Sequence, residues 1–135
     1  MSNLDYICIK HGQSISYKGD ENILRKALGI LKEDGVYAMF LWLESKDKDK
    51  DKKIRDEIIK MLNEDKIKNY LLGYSGETPN SFSNDFEGFC KNLRTISQDK
   101  DINKLFFLKK VLERTLTYAL YHVKVKEDEK NVSMP

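Results

Sequence analysis

Proline and glycine are scarce, two and seven in 135 residues. So few breaks exclude a sandwich of many short strands, which needs a turn about every 8–12 residues. Two cysteines are too few for a disulfide scaffold. Cys8 and Cys90 stand far apart and fit no metal-ligand or redox spacing. The chain also lacks any run of roughly 18 apolar residues, so no membrane-spanning helix is expected. The first ten residues, MSNLDYICIK, show no basic stretch followed by a long apolar one. The expectation is therefore a cytoplasmic protein with both thiols reduced. Cys90 falls on an apolar helix face and reads as a buried structural thiol. The motifs of nucleotide and metal chemistry are missing too. There is no G-x-x-x-x-G-K-[ST], no G-x-G-x-x-G and no H-E-x-x-H. The alternating acids of DKDKDKK lack the central glycine and the final glutamate of a calcium loop. GYSGE at Gly73 is not a nucleophile elbow, because Glu77 stands where the second glycine is required. Histidine occurs twice, His11 and His122, in no motif. These absences give no reaction, no cofactor and no metal.

What is present is apolar residues at helical spacing. The chain is 40% hydrophobic and 34% charged, which suits a soluble fold with its own core. A single all-α domain over residues 1–135 is expected, a bundle of about five to six helices. Residues 1–19 alternate loosely, and a short strand and an irregular helical turn both fit; Gly12 and Gly19 read as breaks. Asp20 caps a helix from Glu21 to Asp34, and Gly35 sits where a helix ends with positive φ. A second helix, Val36 to Ser45, presents Val36, Met39, Phe40 and Leu43 on one face and Tyr37, Leu41 and Trp42 on the other. Apolar residues nearly all round predict burial on several sides, or a partner met with the second face. The Lys46–Lys53 run reads as an exposed loop or frayed helix end. From Asp51 or Lys52 a helix buries Ile54, Ile58, Met61 and Leu62, and Ile67, Tyr70 and Leu71 add a turn or two up to Gly73. Residues 73–85 are rich in Gly, Ser, Thr, Pro and Asn and predict a loop. Asn84 with Glu87 resembles a capping box for a helix with Phe86, Phe89, Cys90, Leu93 and Ile96 inward. Asp99 or Asp101 caps the longest helix, Ile102 to Lys126. Residues 127–135 are expected to fray.

Charge is unevenly placed. Residues 1–85 hold 14 Lys/Arg against 15 Asp/Glu, whereas residues 86–126 hold 9 against 4. A polyanion would meet the C-terminal third. Lys91, Arg94, Lys104, Lys109, Lys110 and Arg114 are the candidate RNA contacts, with Phe106 and Tyr118 placed to add base stacking. The plainer reading of the same residues is a solvated helix face with the aromatics turned inward.

Two stretches carry a resemblance. LRKALGILKEDGVYAMFLWLESK and LERTLTYALYHVKVKEDE resemble the small helical subunit, the fifth, of the type III-B CRISPR RNA-silencing (Cmr) complex. Gly35, Val36, Phe40, Leu43, Ser45 and Lys46 stand at the glycine turn and along the compact apolar helix after it. Ala119, Leu120, Tyr121 and Lys124 echo the long C-terminal helix. Val36 replaces the family's usual leucine and Tyr121 its usual tryptophan. The resemblance implies a non-catalytic, cytoplasmic antiviral-defence subunit. It would stack head to tail along other CRISPR effector subunits and contact the crRNA and target RNA. A helical protein–protein adaptor or regulator without nucleic acid is the alternative reading.

Overall fold

The computed structural model describes residues 2–46 and 49–133. These form seven α-helices and one minute hairpin: α1 Ser2–Ser16, α2 Glu21–Asp34, α3 Val36–Glu44, α4 Asp49–Leu62, α5 Asp65–Leu72, β1 Tyr74–Ser75, β2 Thr78–Pro79, α6 Phe86–Gln98 and α7 Ile102–Ser133. The all-α bundle matches expectation, but the helix number does not. The N-terminal segment is a 15-residue helix, neither strand nor irregular turn, and Gly12 lies inside it.

Gly12 is there for packing. A Cβ at this position would lie 2.9 Å from the Thr115 carbonyl oxygen, 3.0 Å from the Tyr118 Cβ and 3.2 Å from the Ala119 nitrogen. Hydrogen alone lets the backbones of α1 and α7 approach this closely. The contacts advance together along both chains: Cys8 lies against the Val111 carbonyl and Lys126 donates to the Ser16 carbonyl, so the two helices run parallel. On its other side α1 runs antiparallel to α4, with His11 and Lys18 meeting Glu57 and Gly19 meeting Ile54.

The caps follow local chemistry. The Asp20 carboxylate accepts from the Ile23 N–H at 2.9 Å. Gly35, at φ 100°, ends α2 and launches α3. The first turn of α6 is capped by Asp85, which accepts from the Gly88 N–H at 3.1 Å; the proposed Asn84–Glu87 box is displaced by one residue. The Asp101 carboxylate accepts from the Asn103 N–H at the start of α7. That helix continues past the expected Lys126 through Ser133; residues 134 and 135 lie outside the described residues. In the Lys/Asp run, α4 begins at Asp49, two residues earlier than expected, and residues 47 and 48 lie outside the description.

The core gathers Met39, Phe40, Ile54, Ile58, Met61, Phe89, Leu93, Leu112, Leu116 and their neighbours. Phe40 of α3 meets Phe89 of α6 edge to face, ring centroids 4.6 Å apart. Residues 73–85 are more ordered than their composition suggests. The turn between β1 and β2 has positive φ only at Gly76, as in a type II′ hairpin. Phe82 is buried beside Phe89, and the Asn63 side chain pairs with both the N–H and the carbonyl of Phe82, at 2.7 and 3.0 Å. Cys90 is buried as expected. Helix α3 buries one face only: Met39, Phe40 and Leu43 are buried, and Tyr37 and Leu41 on the opposite face are 40% and 46% exposed.

Candidate functional site

Two concavities flank α1. The first is a groove of about 520 Å³ between α1, α2 and α7, whose lining includes Cys8, Lys32, Phe107, Lys110, Glu113, Arg114 and Tyr118. Apolar residues share its lining with three cations from two helices and one acid, Glu113. The Tyr118 hydroxyl donates to Asp5 at 2.7 Å, and Arg114 pairs with the same carboxylate oxygen at 3.4 Å. The hydrogen bond to Asp5 raises the Tyr118 hydroxyl pKa above its ordinary value. Cys8 lies at the floor, and burial raises its thiol pKa.

The six basic residues singled out from the sequence are dispersed. Lys110 and Arg114 line the groove. Lys109 reaches back to the Lys32 carbonyl at 3.3 Å. Lys104 is tied to Asp99 at 2.9 Å. Lys91 and Arg94 are exposed on α6, where Arg94 lies near the Tyr37 hydroxyl of α3, and neither lines the groove. Phe106 is well exposed but is also absent from the groove wall; its neighbour Phe107 is there instead, with its ring edge to face with Tyr70 at 4.9 Å. Lys32 was not picked out from the sequence, because it sits in the nearly neutral N-terminal part and reaches the groove only through tertiary packing.

The second concavity, about 770 Å³, opens between α1, α4 and Asn84. Its wall holds the most unusual polar cluster of the protein. His11 is 3% exposed, and each ring nitrogen faces a carboxylate: Nδ1 lies 2.7 Å from Glu57 Oε2 and Nε2 lies 2.6 Å from Glu64 Oε2. Lys18 approaches the other Glu57 oxygen at 3.3 Å, and Lys10 pairs with Glu64 at 2.8 Å. Burial pushes the Glu57 carboxyl pKa up, but hydrogen bonds from His11 and Lys18 outweigh it and leave it below the ordinary 4.5. Glu64 is lowered chiefly by the hydrogen bond from Lys10, with His11 adding to it against the effect of burial. In the sequence His11 is a lone histidine; its partners stand 46 and 53 residues away, and no spacing rule connects them.

These directions fix an acid dependence. A carboxyl whose pKa is lower in the folded than in the unfolded chain contributes stability above its unfolded value and loses it as pH falls through the folded one. The melting temperature is therefore expected to fall as pH drops below about 4.5. The Glu57→Gln and Glu64→Gln variants should show a shallower fall, checked by circular-dichroism melts between roughly pH 6 and pH 3.

Among the described residues no group of three or more His, Cys, Asp or Glu side chains is placed to hold a metal ion, and no helix is long and apolar enough to cross a membrane. Comparison with protein-family models, with curated proteins and with solved structures finds no match to this chain.

Proposed function

We propose that the chain is a non-catalytic helical subunit that binds an RNA strand in the groove between α1, α2 and α7. The observation that carries this reading is the convergence of Lys32, Lys110 and Arg114 on a concavity whose wall includes Phe107 and Tyr118. Cations around an apolar, aromatic surface suit a single strand, whose phosphates need neutralising and whose bases need a stacking platform. The resemblance of residues 24–46 and 112–129 extends the proposal to the kind of assembly, a type III-B CRISPR RNA-silencing complex. In that setting the chain stacks head to tail with its own copies, beside other effector subunits, on the crRNA and target RNA. A short apolar helix launched from a positive-φ glycine, and a long helix at the C-terminal end, are in keeping with that resemblance.

Three cations in contact with phosphates give a salt dependence. The slope of log affinity against log salt for a single-stranded oligoribonucleotide is expected near −2, about 0.7 per contact. Affinity independent of salt, or no binding at low salt, would remove the reading.

One observation favours the second reading, a protein–protein adaptor without nucleic acid. Tyr37 and Leu41, four residues apart on α3, leave an apolar strip facing away from the core, as in a helix that meets a partner with its second face. On that reading Leu41→Glu abolishes partner capture while charge changes in the groove do not.

A further inference from the structure

Among the described residues, Arg114 is the one groove cation already paired with a carboxylate. Arg114 and the Tyr118 hydroxyl both donate to Oδ1 of Asp5, at 3.4 and 2.7 Å. Asp5 stands in the first turn of α1, and its neighbour Leu4 and, one turn further, Cys8 line the groove. One anionic oxygen that takes a guanidinium N–H and a phenol O–H together copies the way a backbone phosphate oxygen is held.

This arrangement is easily exchanged. At 3.4 Å the contact with Arg114 is long for a charge-assisted bond, which favours about 2.7–2.9 Å. The Arg114 and Asp5 side chains are 57% and 40% exposed, and an exposed pair of this kind is weak. A phosphate takes a guanidinium through two parallel N–H groups, a geometry that the single Oδ1 contact leaves unused. Losing Arg114 does not strand Asp5, because Tyr118 still donates to it and the N-terminal turn of α1 favours a negative charge. Glu113 also lines the groove but is paired with neither Arg114 nor Tyr118.

We propose that Asp5 is a built-in competitor for RNA: its carboxylate holds Arg114 and Tyr118 in the free protein and yields Arg114 to a backbone phosphate when a strand enters the groove. This deepens the RNA reading of the groove and rests on it. Exchanging one carboxylate for one phosphate gains little by itself. A strand gains because it engages Lys32 and Lys110 at the same time, so the device favours a polyanion over a lone anion.

The test measures binding of a single-stranded oligoribonucleotide at about 0.15 M salt, where exposed charges more than about 8 Å apart are largely screened. Asp5→Asn keeps the shape of the side chain and is expected to bind about three- to fivefold tighter than the unaltered protein, the size set by losing an exposed ion pair. With Arg114→Gln also in place that gain should vanish, because no guanidinium is left to release. Glu113→Gln makes the same change of charge in the same groove, and any gain it brings should be equal with and without Arg114→Gln. Asp5→Asn binding no tighter, or gaining as much in the Arg114→Gln background, overturns the competitor and leaves the RNA reading in place. No binding by the unaltered protein and by Asp5→Asn alike, even at low salt, removes both. Should Asp5→Asn lose its helicity, the unaltered protein decides. Its Asp5 carboxyl carbon, followed by ¹³C NMR, is expected to shift as the oligoribonucleotide is added, and a signal unmoved at saturation overturns the competitor.

Discussion

Phe89→Ala is expected to destabilise the fold by about 3–5 kcal/mol, the usual cost of deleting a buried aromatic ring. Phe89 is fully enclosed, packs edge to face on Phe40 of α3 and lies beside Phe82 from the segment between the hairpin and α6. Removing it breaks the one aromatic cluster that joins those three parts. Little else can fill the space, because Phe82 is itself held in place by its backbone pairing with Asn63. Urea unfolding followed by circular dichroism should show a lower midpoint with an unchanged slope. A loss below about 1 kcal/mol would mean that α6 does not dock on α3 as described.

The second large effect is at Gly12. Gly12→Leu is expected to cost roughly 3 kcal/mol, at the upper end of what overpacking produces. A Cβ already falls 2.9 Å from a backbone carbonyl of α7, and backbone has no rotamer by which to move away. The better helix propensity of leucine returns at most about 1 kcal/mol. Because α1 and α7 run side by side here, the variant also widens the groove that both helices line. A thermal midpoint equal to that of the unaltered protein would contradict the close α1–α7 crossing.

Gly12 also shows how far the sequence can be read. A glycine among Lys, His, Gln and Ser looks like a break when only neighbours along the chain are considered. Its role depends on Thr115 and Ala119, more than a hundred residues away, and so α1 was not legible as a helix. Helices α2, α3 and α7 were legible because each follows a simple rule. Apolar residues recur at i, i+3, i+4 and i+7, and an aspartate or glycine marks the start of each. Small displacements occurred where two residues of similar chemistry compete. Asp85 caps α6 although Asn84 stands beside it, since an ionised carboxylate is the stronger acceptor for the helix N–H groups.

The candidate sites were legible only in part. The C-terminal excess of lysine and arginine pointed to α7, and Lys110 and Arg114 do line the groove. Their companion Lys32 comes from α2, in a part of the chain with no net basic character. Lys104 and Lys109 are on α7 as well but are turned to Asp99 and to the Lys32 carbonyl. Which basic residues gather in one concavity is decided by helix rotation and packing, and composition carries no record of either. His11 was still less visible, because its hydrogen bonds to Glu57 and Glu64 are long-range contacts.

The most direct test of the RNA-binding proposal compares two double variants in the salt dependence of binding to a single-stranded oligoribonucleotide. Lys110→Gln with Arg114→Gln removes two of the three groove cations, and the slope should fall from about −2 to about −0.7, in proportion to the phosphate contacts that remain. Lys91→Gln with Arg94→Gln removes the same charge from α6 and should leave the slope near −2. Equal slopes for the two variants, with helicity unchanged in both, would show that the groove does not hold the strand.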